Sequence, residues 1–288
     1  MKNLIKLSLI ALAGFFLVTC DHVANVIETT TTNNGGGGGN TDTTIVYRKV
    51  LIEDFTGHKC QACPTAAKEL RRLDSLYHGK LIPMAVHAGT FANPNPTYPD
   101  DFRTPEGAAL NSFFGFSAYP NGLVNRKDQP AGAAVFIKGY DTWATHAVPM
   151  MSELADFKID ITNTYTTETG NLQCVVDIKA LNDLTGKYNL SVYLTEDSIV
   201  GPQLDGSTII PNYVFMHVMR GSLNTVWGEE IWNGTIAKNV TTQKTYNYTV
   251  PSNFVAKHCH IIAYVYDNDS GSAKFYEVKQ AEVKELIE

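Results

Sequence analysis

Val50-Leu51-Ile52-Glu53-Asp54-Phe55-Thr56-Gly57-His58-Lys59-Cys60-Gln61-Ala62-Cys63-Pro64 is an apolar run that stops at a glycine and opens through Cys-x-x-Cys into a periodic segment. Val50 to Phe55 has the β-branched and aromatic content of a buried strand, and Gly57 breaks it. Thr65 to Tyr77 carries Ala67, Leu70, Leu73 and Leu76 at helical spacing. The two cysteines therefore fall at a helix start, where unpaired backbone N–H groups and the helix dipole favour a thiolate at Cys60. Lys59 and His58 add to that preference. Cysteines three apart in a first turn can close or open a disulfide, with the first sulfur outermost and the second shielded. Pro64 is tolerated there because its missing N–H has no partner to lose.

Downstream, Leu81, Ile82, Met84 and Val86 make Lys80 to His87 the next strand, so strand, helix and strand form a parallel βαβ unit with a right-handed crossover. A loop dense in Pro and Asn spans Ala88 to Asp101. Thr104-Pro105-Glu106 then starts a helix with a cap, a proline and an acid, and Ala108, Ala109, Phe113 and Phe114 are its expected buried side. That insertion is placed to overhang the cysteines. Asp141 to Leu154 is expected to close this half as a helix, with Pro149 its weak point.

The strand, the Asp54-Phe55 pair and the Cys60-x-x-Cys63 spacing resemble the thioredoxin superfamily. The resemblance implies that Asp54 is the buried acid that moves a proton for the inner cysteine. It also implies a cis-proline opposite the cysteine pair, with the backbone before it aligning the substrate chain, and Tyr119-Pro120 holds that place. An ordinary Pro-Asn-Gly turn is the other reading. Lys59 stands where that family usually has tryptophan, and Gln61-Ala62 replaces its common Gly-Pro.

The chain has 288 residues, 44% hydrophobic and 18% charged, enough for a sizeable core in one or two domains. A formal charge of -6 with no basic block argues against nucleic acid as a partner. Lys2 and Lys6 followed by the apolar Leu7 to Val18 form a secretory signal over 1–19. Leu17-Val18-Thr19-Cys20 resembles the box of a bacterial lipoprotein signal, which implies acylation of Cys20 and a membrane partner reached through lipid. Residues 20–46, with Thr29 to Thr32 and Gly35 to Gly39, read as a flexible tether with a reach of roughly 25–30 Å.

From Phe157 the texture changes to short strands: Lys158 to Thr164, Leu172 to Leu181, Tyr188 to Leu194, Tyr213 to Met219, Thr245 to Val250, Cys259 to Tyr266 and Phe275 to Lys279. The expectation is an α/β thioredoxin-like domain over 47–155 followed by an all-β immunoglobulin-like sandwich over 156–288. Alternation points Cys174 and Cys259 inward. They either pair across the core, worth roughly 4–5 kcal/mol in the loop-entropy model, or are small buried residues. His258 and His260 share the other face with Tyr264 and Tyr266, expected to be solvated, and no metal site is expected. His217, Arg220 and Trp227-Gly228-Glu229 look specific without declaring a chemistry.

The order of lipobox, tether, Cys-x-x-Cys-Pro, His-Val-x-Arg-Gly and Trp-Gly-Glu resembles the Omp28-related outer-membrane lipoproteins. That implies residence at the outer membrane. Two functions stay open. One is an envelope thiol-disulfide oxidoreductase acting on protein disulfides without a cofactor: Cys60 attacks, Cys63 resolves, Asp54 handles a proton and the Tyr119 backbone aligns the substrate. The other is a binding or adhesion lipoprotein whose Cys60–Cys63 disulfide only pins a helix start. An exposed Cys60 separates the first from the second.

Overall fold

A computed structural model describes residues 45–127, 136–272 and 276–287. The signal segment, Cys20, nearly all of the tether and Phe275 lie outside the described residues. Strand β1 (Val50–Thr56) is buried at every position, as an apolar run without alternation requires. Helix α1 (Cys63–Leu76) returns the chain to β2 (Leu81–His87). The two strands pair in parallel, with Asp54 opposite Ala85 and Thr56 opposite His87. Leu70 and Leu73 hold α1 to the sheet, joined by Ala66 rather than Ala67, while Leu76 is exposed.

Helix α2 (Pro105–Phe114) starts where its cap predicts: the Thr104 hydroxyl accepts a 3.0 Å hydrogen bond from the Gly107 N–H, and Gly115 ends it in the left-handed conformation. Its buried side is Gly107 and Leu110, not the expected Ala108 and Phe113. At Gly107 the helix lies against Val86 and Met219, where a side chain would crowd both. Strand β3 (Asn121–Val124) pairs antiparallel with β1, β4 (Ile137–Lys138) pairs with β3, and α3 (Trp143–Met150) ends one residue past Pro149, shorter than expected.

Ten more strands follow: β5 (Phe157–Thr166), β6 (Asn171–Ala180), β7 (Leu184–Glu196), β8 (Ile199–Asp205), β9 (Thr208–Phe215), β10 (Val218–Ser222), β11 (Glu229–Ile236), β12 (Thr241–Thr249), β13 (Cys259–Asp267) and β14 (Val278–Glu285). The run expected from Tyr213 to Met219 is broken at His217, whose φ of 59° ends β9 and starts β10. Sequence alternation also misses β8 and β11 as strands. Both are only partly buried, so the apolar signal is weak.

These strands do not close into a sandwich of their own. One nine-stranded sheet runs β14-β13-β7-β10-β2-β1-β3-β4, with β11 also on β7. It crosses position 155 through a short parallel joint, Val218 opposite Ala85, reinforced by the Ala85 N–H donating to the His217 carbonyl at 2.7 Å. Residues from Ile45 onwards accordingly form one compact unit. Strands β12-β6-β5 make a second sheet and β8-β9 a separate hairpin. The fold is mostly β with several sheets.

On one face of the large sheet α1 and α3 cover β1 and β3, while the three-stranded sheet covers β7 and β13. The other face holds a continuous aromatic cluster under α2. Tyr264 and Tyr266 are therefore fully buried instead of solvated. Cys174 and Cys259 share the first core as free thiols, each pushed up to about 12 by burial, so no disulfide joins them.

The two halves are locked on the aromatic face by Glu53 on β1 and Arg126 just after β3, both completely buried. Arg126 donates from Nε and Nη2 to the two carboxylate oxygens at 2.8 and 2.7 Å, and from Nη2 to the Tyr264 hydroxyl at 2.7 Å. Its guanidinium lies 5.0 Å from the Tyr264 ring centre and 5.3 Å from that of Phe114. Arg126→Ala leaves a buried carboxylate unpaired. In urea titration it should lose roughly 3–5 kcal/mol, and Glu53→Gln with Arg126→Met together should lose less than that single change.

Candidate functional site

The turn after β1 folds back before α1 starts: the Cys60 N–H donates to the Gly57 carbonyl at 3.0 Å, and α1 begins at Cys63 with Pro64 in its first turn. Cys60 thus precedes the helix and Cys63 opens it. The sulfurs form a disulfide, S–S 2.13 Å, Cα–Cα 5.4 Å. Neither is accessible: Cys60 is 3% exposed and Cys63 2%. The expected outward-facing Cys60 is overturned by what lies on top of it.

That cover is the β8-β9 hairpin. The Leu204 N–H donates to the His58 carbonyl at 2.9 Å and the Gly206 N–H to the Gln61 carbonyl at 3.0 Å. The Gln203 side-chain amide, itself buried, donates to the Cys60 carbonyl at 3.1 Å. From the other side the Pro/Asn loop closes in, the Lys59 N–H bonding the Phe91 carbonyl at 3.0 Å. Gly57 is needed for this approach, because a Cβ there would come within 2.6 Å of the Phe91 backbone. His58 stacks on Tyr98 and is held below its ordinary pKa by burial, so it is neutral near pH 7 and lends Cys60 no charge.

Beside Cys63 lies a partly open cavity of about 30 Å³, large enough for a water molecule, lined by Asp54, Cys63, Ala85, His87, Tyr213 and His217 among others. Asp54 faces it because β1 alternates: Glu53 and Phe55 point to the aromatic core, Asp54 and Thr56 to the α1 side. Asp54 is 1% exposed and its Oδ1 has no hydrogen-bond partner among the described residues. Burial lifts its pKa from 3.8 to about 8, so the acid is largely protonated at neutral pH.

The Tyr119–Pro120 bond is cis and directly precedes β3, whose Asn121 sits opposite Phe55 on β1. The Tyr119 hydroxyl donates to the Asn111 side chain. Cys20 lies outside the described residues. Sequence reasoning missed the covering residues Gln203, Leu204 and Gly206, and the place of His87 in the cavity. Nothing in a Pro-Gln-Leu-Asp-Gly turn states where it docks.

The unassigned motifs turn out to be joints. Arg220 sits 3.2 Å from Glu196 and over the Phe254 ring at 4.0 Å, and His217 lies 3.3 Å from Asp197. The Trp227 carbonyl accepts from Tyr266 at 2.6 Å and Asn189 at 3.1 Å, Gly228 passes too close to the Leu190 backbone for any Cβ, and Glu229 accepts from Lys244 and Tyr246, both at 2.6 Å. No cluster of three metal-ligating side chains occurs among the described residues.

These motifs lie in residues 107–286, which match the family model described as outer membrane protein Omp28. The chain belongs to the Omp28 family. The Omp28 assignment places it at the outer membrane of the cell envelope. No helix among the described residues is long and apolar enough to cross a membrane. Among solved structures this Omp28-family protein is similar to HBP35 of Porphyromonas gingivalis, at 18% identity over 84% of this chain and 76% of that one, TM-score 0.65. It is also similar to a structural-genomics target protein of Agrobacterium tumefaciens, at 15% identity over 84% of this chain and 96% of that one, TM-score 0.51. A domain of the outer membrane lipoprotein Omp28 from Porphyromonas gingivalis is 27% identical over 46% of this chain and 88% of that one, TM-score 0.32. No curated protein sequence matches the chain.

The buried acid has a measurable signature. Because the folded pKa of Asp54 lies above its unfolded value, the folded state binds the extra proton between pH 3.8 and about 8, and stability falls as pH rises through that window. Asp54→Asn should match the parent at pH 4 and exceed it by up to about 5 kcal/mol at pH 8 in denaturant titrations.

Proposed function

We propose that the protein is a lipid-anchored thiol-disulfide oxidoreductase of the outer membrane, acting through Cys60 and Cys63 on protein disulfides or thiols. One observation carries this reading: an unpartnered, protonated acid is buried beside the inner cysteine with room for a water between them. A structural disulfide has no use for such a group, which costs stability at neutral pH. During reduction the partner's thiolate attacks Cys60, the Cys60–Cys63 bond breaks, and the Cys63 thiolate leaves into a site where charge is costly. Asp54 supplies its proton, directly or through the cavity water. In the reverse direction the same carboxylate removes it.

The βαβ unit, the antiparallel β3 and the cis bond at Tyr119 support reading residues 47–155 as thioredoxin-like, with Tyr119 and Pro120 aligning the substrate backbone. The packing of β5, β6 and β12 on β7 and β13 supports a sandwich-like remainder, though one that shares its larger sheet with the first half. Acylation of Cys20 and a tether over 20–46 would hold this body at the membrane.

The second reading, a binding or adhesion lipoprotein with a structural disulfide, is favoured by the burial of both sulfurs. Reduction of protein lacking residues 1–20 in a series of dithiol buffers, followed by alkylation and mass spectrometry, separates the two. An oxidoreductase should show a reversible Cys60–Cys63 couple with Cys60 labelled first, and Cys63→Ser should accumulate a mixed disulfide on Cys60. A pair that resists reduction, or labels no faster than an ordinary thiol, would leave only the structural role. Hairpin opening must precede attack, so Gln203→Ala, by removing a bond worth about 1 kcal/mol, should speed reduction roughly fivefold without changing the equilibrium between oxidised and reduced buffers by as much.

A further inference from the structure

We propose that His87 is a positioning residue that relays protons between solvent and Asp54, giving the acid beside Cys63 a proton route through the neighbouring cleft. The inference rests on the oxidoreductase reading. His87 follows Ala85 by two residues on β2 and sits opposite Thr56, so its ring is on the same sheet face as Asp54. It lines the cavity beside Cys63 and also a separate open cleft of about 340 Å³ with Gly89, Thr90, Asn93, Arg103 and Ala108. A single buried imidazole therefore borders both the cavity that holds the acid and the neighbouring cleft.

The ring is not held as a structural histidine ordinarily is. It is 3% exposed, its Nδ1 has no hydrogen-bond partner among the described residues, and its neighbours Phe102 and Phe215 meet it edge-on at 5.0 and 5.6 Å. Phenylalanine would fill that aromatic pocket without an orphaned nitrogen. The charged and titratable groups facing it are Asp54 from β1, His58 from the turn, Arg71 from α1, Arg103 from the loop before α2, Arg220 from β10 and His217 from the β9-β10 turn. Burial first, then His58 and Arg220, hold its pKa down to about 3, so it stays neutral. A neutral imidazole carries one N–H and one lone pair. It can donate to one side and accept from the other, exchanging tautomers without storing a charge.

The balance is as follows. A dithiol reductant loses one proton to solvent on forming its thiolate, which attacks Cys60 and expels the Cys63 thiolate. Cys63 takes the Asp54 proton, His87 returns one to Asp54, and water in the cleft returns one to His87. The reductant's second thiol then loses its proton to solvent and its thiolate displaces Cys60, which leaves as a thiolate and takes a proton from solvent, and the reductant leaves as a disulfide. Two electrons reach the cysteine pair, and the two protons it takes up, one at Cys63 through Asp54 and one at Cys60 from solvent, equal the two the reductant releases.

The test is single-turnover reduction of the Cys60–Cys63 disulfide by dithiothreitol across pH, in parent, His87→Phe and His87→Ala proteins. The relay predicts a rate lowered roughly ten- to a hundredfold in both variants, an altered pH profile, and recovery of His87→Ala by added imidazole but not by added toluene of similar size. Nitrogen NMR of the unmodified protein gives a second reading that needs no variant to fold: the His87 tautomer signals should shift when the pair is reduced and stay constant in Asp54→Asn. Unchanged rates and profiles in a parent that is itself readily reduced would overturn the relay and leave the oxidoreductase reading standing. A parent that resists reduction would overturn both.

Discussion

The Glu53–Arg126 pair is the constraint around which the molecule is arranged. A carboxylate and a guanidinium with no solvent exposure are stable only as a pair, and here two parallel hydrogen bonds at 2.7 and 2.8 Å join them, while Nη1 of Arg126 has no hydrogen-bond partner among the described residues. Arg126 belongs to the first half of the chain and Tyr264, which takes its third bond, to the second. Losing that arrangement would expose a buried charge, so the halves are held in one register. The joint between β2 and β10 can consequently be short.

Joining the sheets at that point determines what happens to the cysteines. Once β10 lies beside β2, the chain just before it, the β8-β9 hairpin, has nowhere to go but over the turn that carries Cys60. The hairpin belongs to neither the nine-stranded nor the three-stranded sheet, and it is bonded to His58, Cys60 and Gln61. The same joint brings His217 and Tyr213 into the wall of the cavity that holds Asp54, whose burial raises the acid's pKa. Cover, cavity and acid are thus consequences of a single sheet arrangement.

Much of the first half was legible residue by residue. The unbroken apolar run of β1, the leucine spacing of α1, the Thr104-Pro105 start of α2 and the Tyr119-Pro120 dipeptide each encode a local conformation, because backbone sterics, capping and periodicity act within a few residues. Cys60 and Cys63 were legible as a pair from their three-residue spacing, whereas Asp54 was singled out only by the resemblance to the thioredoxin superfamily. The strands of the second half were mostly legible as strands. Their partners were not: Tyr264 and Tyr266 were read as a wet face, and β7, with different partners at its two ends along one edge, was read as an ordinary sandwich strand.

What the sequence determined by itself is everything set by neighbours along the chain: the secondary-structure period, the helix caps, the alternation that puts Asp54 on the side opposite Glu53, and the three-residue spacing that lets the disulfide close. What only the tertiary structure decided is exposure and pairing across distance. Cys60 is buried, Cys174 and Cys259 are free, and His87 borders both the cavity that holds Asp54 and the cleft beside it. None of these follows from residue type, because each depends on which strand, some hundred or more residues away in the case of the hairpin over Cys60, comes to lie on top.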